Sequence, residues 1–168
     1  MDREKLAGAG RYVLAALRWA ALSLLTGTVC GLLGTAFHWA IDWVTEYRSA
    51  HMLIIWLLPI AGAVTLLLYR LCRVSFDAGT NLIITSVTTN EHIPVLLAPL
   101  ITAGTLLSHL FGASVGREGA ALQLGGSVGH NMGELLGFDE DDVRVLSMCG
   151  MAACFSAMFG TPVSAAVF

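Results

Sequence analysis

Apolar positions in this chain are gathered into long runs separated by short polar or glycine-rich breaks, with little of the period-2 alternation of half-buried strands. From Val13 to Val44 the chain is apolar, with Gly27, Gly31 and Gly34 at the small-residue spacing of a helix face. This predicts one long tilted helix over 13–44, its wet end marked by Asp42, Glu46, Tyr47 and Arg48. A second run, 52–71, has about the ~20 residues a bilayer requires and ends at Arg70 and Arg73. Beyond it the pieces shorten. Gly79-Thr80-Asn81 opens an apolar stretch at 82–87, too short to span, and Pro94 precedes a helix predicted at 95–111. Gly116-Arg117-Glu118-Gly119 leads into a glycine-rich helix over 118–136, with Gly125, Gly126, Gly129 and Gly133 suited to close helix contact. The acidic run Asp139, Glu140, Asp141, Asp142 leads to a helix over 143–158, and Gly160-Thr161-Pro162 opens a last apolar segment, 162–168. The pattern predicts a single all-α membrane domain over 1–168 in which several helices stop inside the bilayer, where irregular backbone survives only when buried in protein or lining a polar cavity.

Composition fixes the solvent. Hydrophobic residues make up 56% of the chain and charged residues only 12%, against about 25% charged in ordinary soluble domains. Mean hydropathy is +0.74, so lipid is the expected surrounding and a multi-pass integral membrane protein the expected class. Arg3, Lys5 and Arg11 precede the first run and Arg18 lies near its start, Arg70 and Arg73 follow the second, and Arg48 alone falls between the two. The positive-inside rule therefore puts the N-terminus in the cytoplasm. A net charge of −3 without a basic stripe argues against a nucleic-acid partner.

Cys30, Cys72, Cys149 and Cys154 show no CxxC pairing and read as buried small hydrophobes. His38, His51, His92, His109 and His130 include no two at i, i+4, so they read as packing or interfacial residues and no metal or other cofactor is expected. A phosphate-binding enzyme of the P-loop kind is argued against by the missing GxxxxGK[ST] pattern, since the only lysine is Lys5.

The chemistry concentrates at Gly116-Arg117-Glu118-Gly119. A charged Asp, Lys or Arg at a membrane-helix centre costs about 2.5–3.5 kcal/mol, so ionisable groups beside apolar spans point to a polar path. A helix N-terminus offers unpaired amides and roughly half a positive charge, which together attract anions. Glu118 is itself an anion held at that end: ionised, it occupies the site, and protonated, it can leave. The simpler alternative makes Glu118 a carboxylate that complements the helix dipole at the interface. At the other short helix start, the Thr80 hydroxyl and the Asn81 amide can donate to an anion or form an ordinary N-cap.

Gly116-Arg117-Glu118-Gly119-Ala120-Ala121-Leu122-Gln123 resembles the GREGP-type signature of the CLC chloride channel and transporter family, and Gly79-Thr80-Asn81-Leu82-Ile83 stands where that family has its GSGIP-type motif. The run from Phe159 to Phe168 resembles the helix that follows in the same family. The resemblance implies the N-terminal half of an inverted repeat with discontinuous helices, a homodimer with one pore per subunit, and no enzymatic activity. It implies Glu118 as the gate and proton acceptor, Gly79, Thr80 and Asn81 near the inner anion, and Gly116, Arg117, Gly119 and Ala120 around the outer one. The family's GxFxP-type helix start, its tyrosine and the inner acidic residue of the proton path would lie past Phe168, so the chain is expected to be part of a longer protein. Ala120 replaces the motif's proline and Asn81 its second glycine, which resembles the bacterial branch that exchanges fluoride for protons; Thr80 keeps the hydroxyl of the chloride-type members. Chloride and fluoride both remain open, as do channel and proton-coupled exchanger. A membrane scaffold without transport activity is the competing reading.

Overall fold

A computed structural model of the chain describes residues 3–74, 83, 85 and 92–167, with side chains from Gly10 onward. Gly79, Thr80, Asn81 and most of the apolar stretch at 82–87 lie outside the described residues. Those residues form six α-helices and no strand.

Helix α1 runs from Arg3 to Ala50, 48 residues or about 72 Å at ~1.5 Å per residue. It exceeds the apolar run at both ends, and no proline interrupts the polar flanks. The second run divides at Pro59: Met52–Leu57 winds as a 3-10 helix, and α2, Leu58–Leu71, begins with the proline in its first turn, where a missing N–H costs nothing. Helix α3, Leu97–Leu110, starts after a turn closed by the Leu97 amide on the Pro94 carbonyl at 2.9 Å. It stops at Gly112, whose φ of +86° lets the Ala113 amide reach back to the Ser108 carbonyl at 2.8 Å.

Helix α4 spans Glu118–Leu135 and α5 spans Glu140–Phe159. The acidic run supplies the N-cap and first turn of α5, so the helix begins a few residues before 143. Asp139 caps that turn by accepting the Asp142 amide at 2.9 Å, and the carboxylates that follow complement the helix dipole. Helix α6, Pro162–Val167, follows a left-handed Gly160.

Helices α4 and α5 pack backbone to backbone. A Cβ on Gly125 would run into the Gly150 carbonyl and come within 2.7 Å of the Cys154 Cβ; one on Gly129 would meet the Leu146 carbonyl. Gly133 faces Val143 and Gly126 faces Ile83 and Met151, so all four expected glycines mark the contact. On α1 the glycines differ: Gly34 abuts Cys154, while Gly27 and Gly31 have nothing near their missing side chains. Cys30 and Cys154 are buried in this packing, whereas Cys72 and Cys149 are partly accessible.

Two ion pairs mark the ends of this bundle. Arg18 reaches Asp142 at 2.9 Å and stacks over the Phe138 ring at 4.9 Å; Arg117 reaches Asp42 at 3.2 Å. Asp42 follows Arg18 by 24 positions on α1, about 36 Å of helix, which matches a ~30 Å hydrocarbon layer crossed at a tilt. Trp39, Trp43 and Trp56 are exposed toward the Asp42 end, as in the aromatic belt of a membrane interface. Helices over Gly10–Ala50, Met52–Leu71 and Glu140–Phe159 are long and apolar enough to cross a membrane.

Candidate anion site at the start of helix α4

Glu118 is the first residue of α4, and Arg117, its N-cap, makes no side-chain capping bond. The Ala121 amide donates to the Arg117 carbonyl at 2.9 Å. The amides of Glu118, Gly119 and Ala120 come before that bond and have no carbonyl of their own helix to donate to. Glu118 is exposed, in a groove of about 520 Å³ formed with His38, Val115, Gly116, Met158 and Phe159. A carboxylate there has the choice of water or the positive end of α4.

The other side of the same turn opens elsewhere. Gly116, Gly119 and Ala120 border a cavity of about 320 Å³ whose wall carries Thr65, Tyr69, Thr105, Ser108 and Gln123. Thr65 and Ser108 donate their hydroxyl protons to the Ala61 and Gly104 carbonyls at 2.9 and 2.8 Å. They offer lone pairs to the cavity, so anion donors there must come from the backbone or from other side chains. Gly116 has open space where a Cβ would stand, which leaves the approach to the helix end clear.

Ala120 is 7% exposed and belongs to the buried core with Ala121 and Leu124. Its side chain holds the turn in place while its amide stays available at the helix end. Arg117 has a role that its motif does not announce. Its guanidinium is engaged by Asp42, whose second oxygen lies 3.3 Å from His38 Nε2, and this ties the turn before α4 to α1. Asp42 had stood only as a sign of the wet end of the first helix; its pairing across 75 positions has no local signature in the sequence. Among the anion-site positions, Gly116, Arg117, Glu118, Gly119 and Ala120 come together in one turn, and Gly79, Thr80 and Asn81 fall outside the described residues.

The family model for the voltage gated chloride channel matches residues 66–168, more than half of the chain and all of the turn just described. The chain belongs to the voltage gated chloride channel family. Among relatives in this family, the chloride/fluoride channel protein of Pseudomonas syringae pv. tomato is 40% identical over 152 residues, covering 90% of this chain and 34% of that protein. The H(+)/Cl(-) exchange transporter ClcA of Vibrio campbellii is 28% identical over 162 residues, covering 88% and 35%. The crystal structure of a CLC-type fluoride/proton antiporter superimposes with a TM-score of 0.82 at 36% identity, covering 92% of this chain and 39% of that one. The chain thus spans little more than a third of the length of these relatives. They are channels and transporters rather than enzymes, and the match to the antiporter makes the fold the N-terminal part of a CLC-type membrane domain.

Proposed function

We propose that this chain contributes the gating half of a proton-coupled anion antiporter, with fluoride as the preferred ion and Glu118 as both gate and proton carrier. The observation that carries this reading is the placement of an exposed glutamate as the first residue of an uncapped helix that starts between two openings. When ionised, the Glu118 carboxylate competes with the transported anion for the amides of Glu118, Gly119 and Ala120. When it takes a proton from the aqueous groove it loses its attraction to the helix end, and an anion replaces it. Return of the carboxylate expels the anion and requires release of the proton. One side chain thereby links the two movements.

Ala120 supports the choice of fluoride. A proline here would have no N–H, and alanine gives the helix end a third donor. Fluoride is the smaller and stronger hydrogen-bond acceptor, so it gains more than chloride from each added amide. Kinship with a chloride/fluoride channel protein and a fluoride/proton antiporter points the same way. Gly79, Thr80 and Asn81 are proposed to line the inner end of the path, with the rest of a homodimeric transporter completing each pore and the N-terminus in the cytoplasm.

Flux assays on proteoliposomes test this directly. Fluoride efflux driven by a pH gradient is expected for the wild-type protein, exceeding chloride efflux, with proton movement lost in Glu118→Gln. Proton coupling that survives in Glu118→Gln contradicts the gate assignment, and equal or greater chloride flux contradicts the ion assignment.

A further inference from the structure

His130 and Glu134 stand one turn apart near the C-terminal end of α4, and His92, from the segment before α3, meets them. One Glu134 carboxylate oxygen, Oε1, lies 3.0 Å from His92 Nδ1 and 3.3 Å from His130 Nε2. All three ligand atoms fall within 4.8 Å of one another, beside a cavity of about 200 Å³. Tetrahedral zinc with bonds of 2.0–2.1 Å separates its ligand atoms by about 3.3 Å, so two of the three separations already suit an ion.

Two imidazole nitrogens and a carboxylate oxygen converging on one place are what point to a cation. The Ile93 amide lies 3.4 Å from Nε2, and an N–H can donate only to an unprotonated nitrogen. The same nitrogen faces the Glu134 carboxylate, which calls for a proton or another positive charge between them. A proton on Nε2 would satisfy the carboxylate and set two N–H groups against each other. A metal ion between them would accept lone pairs from Nε2 and the carboxylate and, like the proton, would displace the long amide contact. Burial adds to this, since the His130 side chain is only 9% exposed while His92 and Glu134 reach it from the surface.

We propose that His92, His130 and Glu134 bind a divalent transition-metal ion of the zinc type, in a three-ligand site with an open position. Two imidazoles and one carboxylate form a donor set that zinc accepts with water as a fourth ligand. Glu140 and Arg144, one charge of each sign, also line the cavity. The ion would fasten the segment entering α3 to the far end of the helix that begins at Glu118, 16 positions or about 24 Å away.

Titration calorimetry with zinc chloride on the detergent-purified, chelator-stripped protein provides the test. One zinc ion per chain is expected, with at least a tenfold loss of affinity in His92→Ala and in Glu134→Gln and no change in His51→Ala. The first removes an exposed side chain, so its folded state is easily checked by gel filtration. Cobalt(II) in place of zinc should give the visible absorption of a four- or five-coordinate site in the wild-type protein alone. No saturable zinc binding, equal binding in wild type and both ligand variants, or an equal loss in His51→Ala would overturn the site.

Discussion

Ala120 shows how much a single backbone atom carries in this chain. It is the third residue of α4 and its amide has no acceptor within its own helix, so proline at this position would break no helical hydrogen bond. In the proposed mechanism, what proline removes is one donor to the anion. Hydrogen bonds to charged groups contribute about 1.5–3 kcal/mol, so Ala120→Pro is expected to weaken fluoride binding about tenfold or more while the protein stays folded. Calorimetry with sodium fluoride, together with the unfolding temperature, separates these effects; unchanged fluoride affinity in a folded variant would remove the Ala120 amide from the site. The identity of this residue is plain in the sequence, but its availability as a donor depends on where α4 starts. That start is legible from Gly116-Arg117-Glu118-Gly119. The pairing of Arg117 with Asp42 was not legible, because it joins residues 75 positions apart through tertiary folding alone. The His92, His130 and Glu134 cluster escaped for a related reason. A search for histidine pairs passes over a histidine and glutamate at i, i+4, and its third member arrives from another segment.

Helix contacts follow glycine unevenly, and the difference is measurable. Gly125 on α4 lies directly against Gly150 on α5, so a methyl group there forces the helices apart. Overpacking of this kind costs about 1–3 kcal/mol. Gly27 on α1 has the same local sequence character but open space at its Cβ position, and alanine is the better helix former by about 1 kcal/mol. Gly125→Ala should therefore lower the unfolding temperature in detergent and Gly27→Ala should leave it unchanged or raise it. Equal behaviour of the two would show that the α4–α5 contact is looser than described. The stripe on α4 could be read from its spacing, because three of its glycines fall on one helix face. On α1 the spacing marks a helix but does not say which glycine meets a neighbouring helix, and of the three only Gly34 does among the described residues. Boundaries shifted where polar residues continue a helix, as in the acidic first turn of α5, or where Pro59 divides a run that hydropathy treats as one.

Across the whole molecule, the Arg18–Asp142 and Arg117–Asp42 pairs separate two polar levels by the thickness of a bilayer. With cysteines 30, 72, 149 and 154 replaced, Ser49→Cys should react with a membrane-impermeant thiol reagent added outside intact cells. Asp139→Cys should react only after permeabilisation. Labelling of both from one side would contradict the orientation. Glu118 stands at the level of the Arg117–Asp42 tie, next to Arg117, and its chemistry is the claim on which the functional reading depends. Proteoliposomes loaded with fluoride and a pH-sensitive dye, holding either the wild-type protein or Glu118→Gln, give the most direct measurement. An outward fluoride gradient should drive protons inward through the wild type and leave the lumen pH of the Glu118→Gln vesicles unchanged; proton uptake of the same size in both would show that the carboxylate at the head of α4 is not the proton carrier.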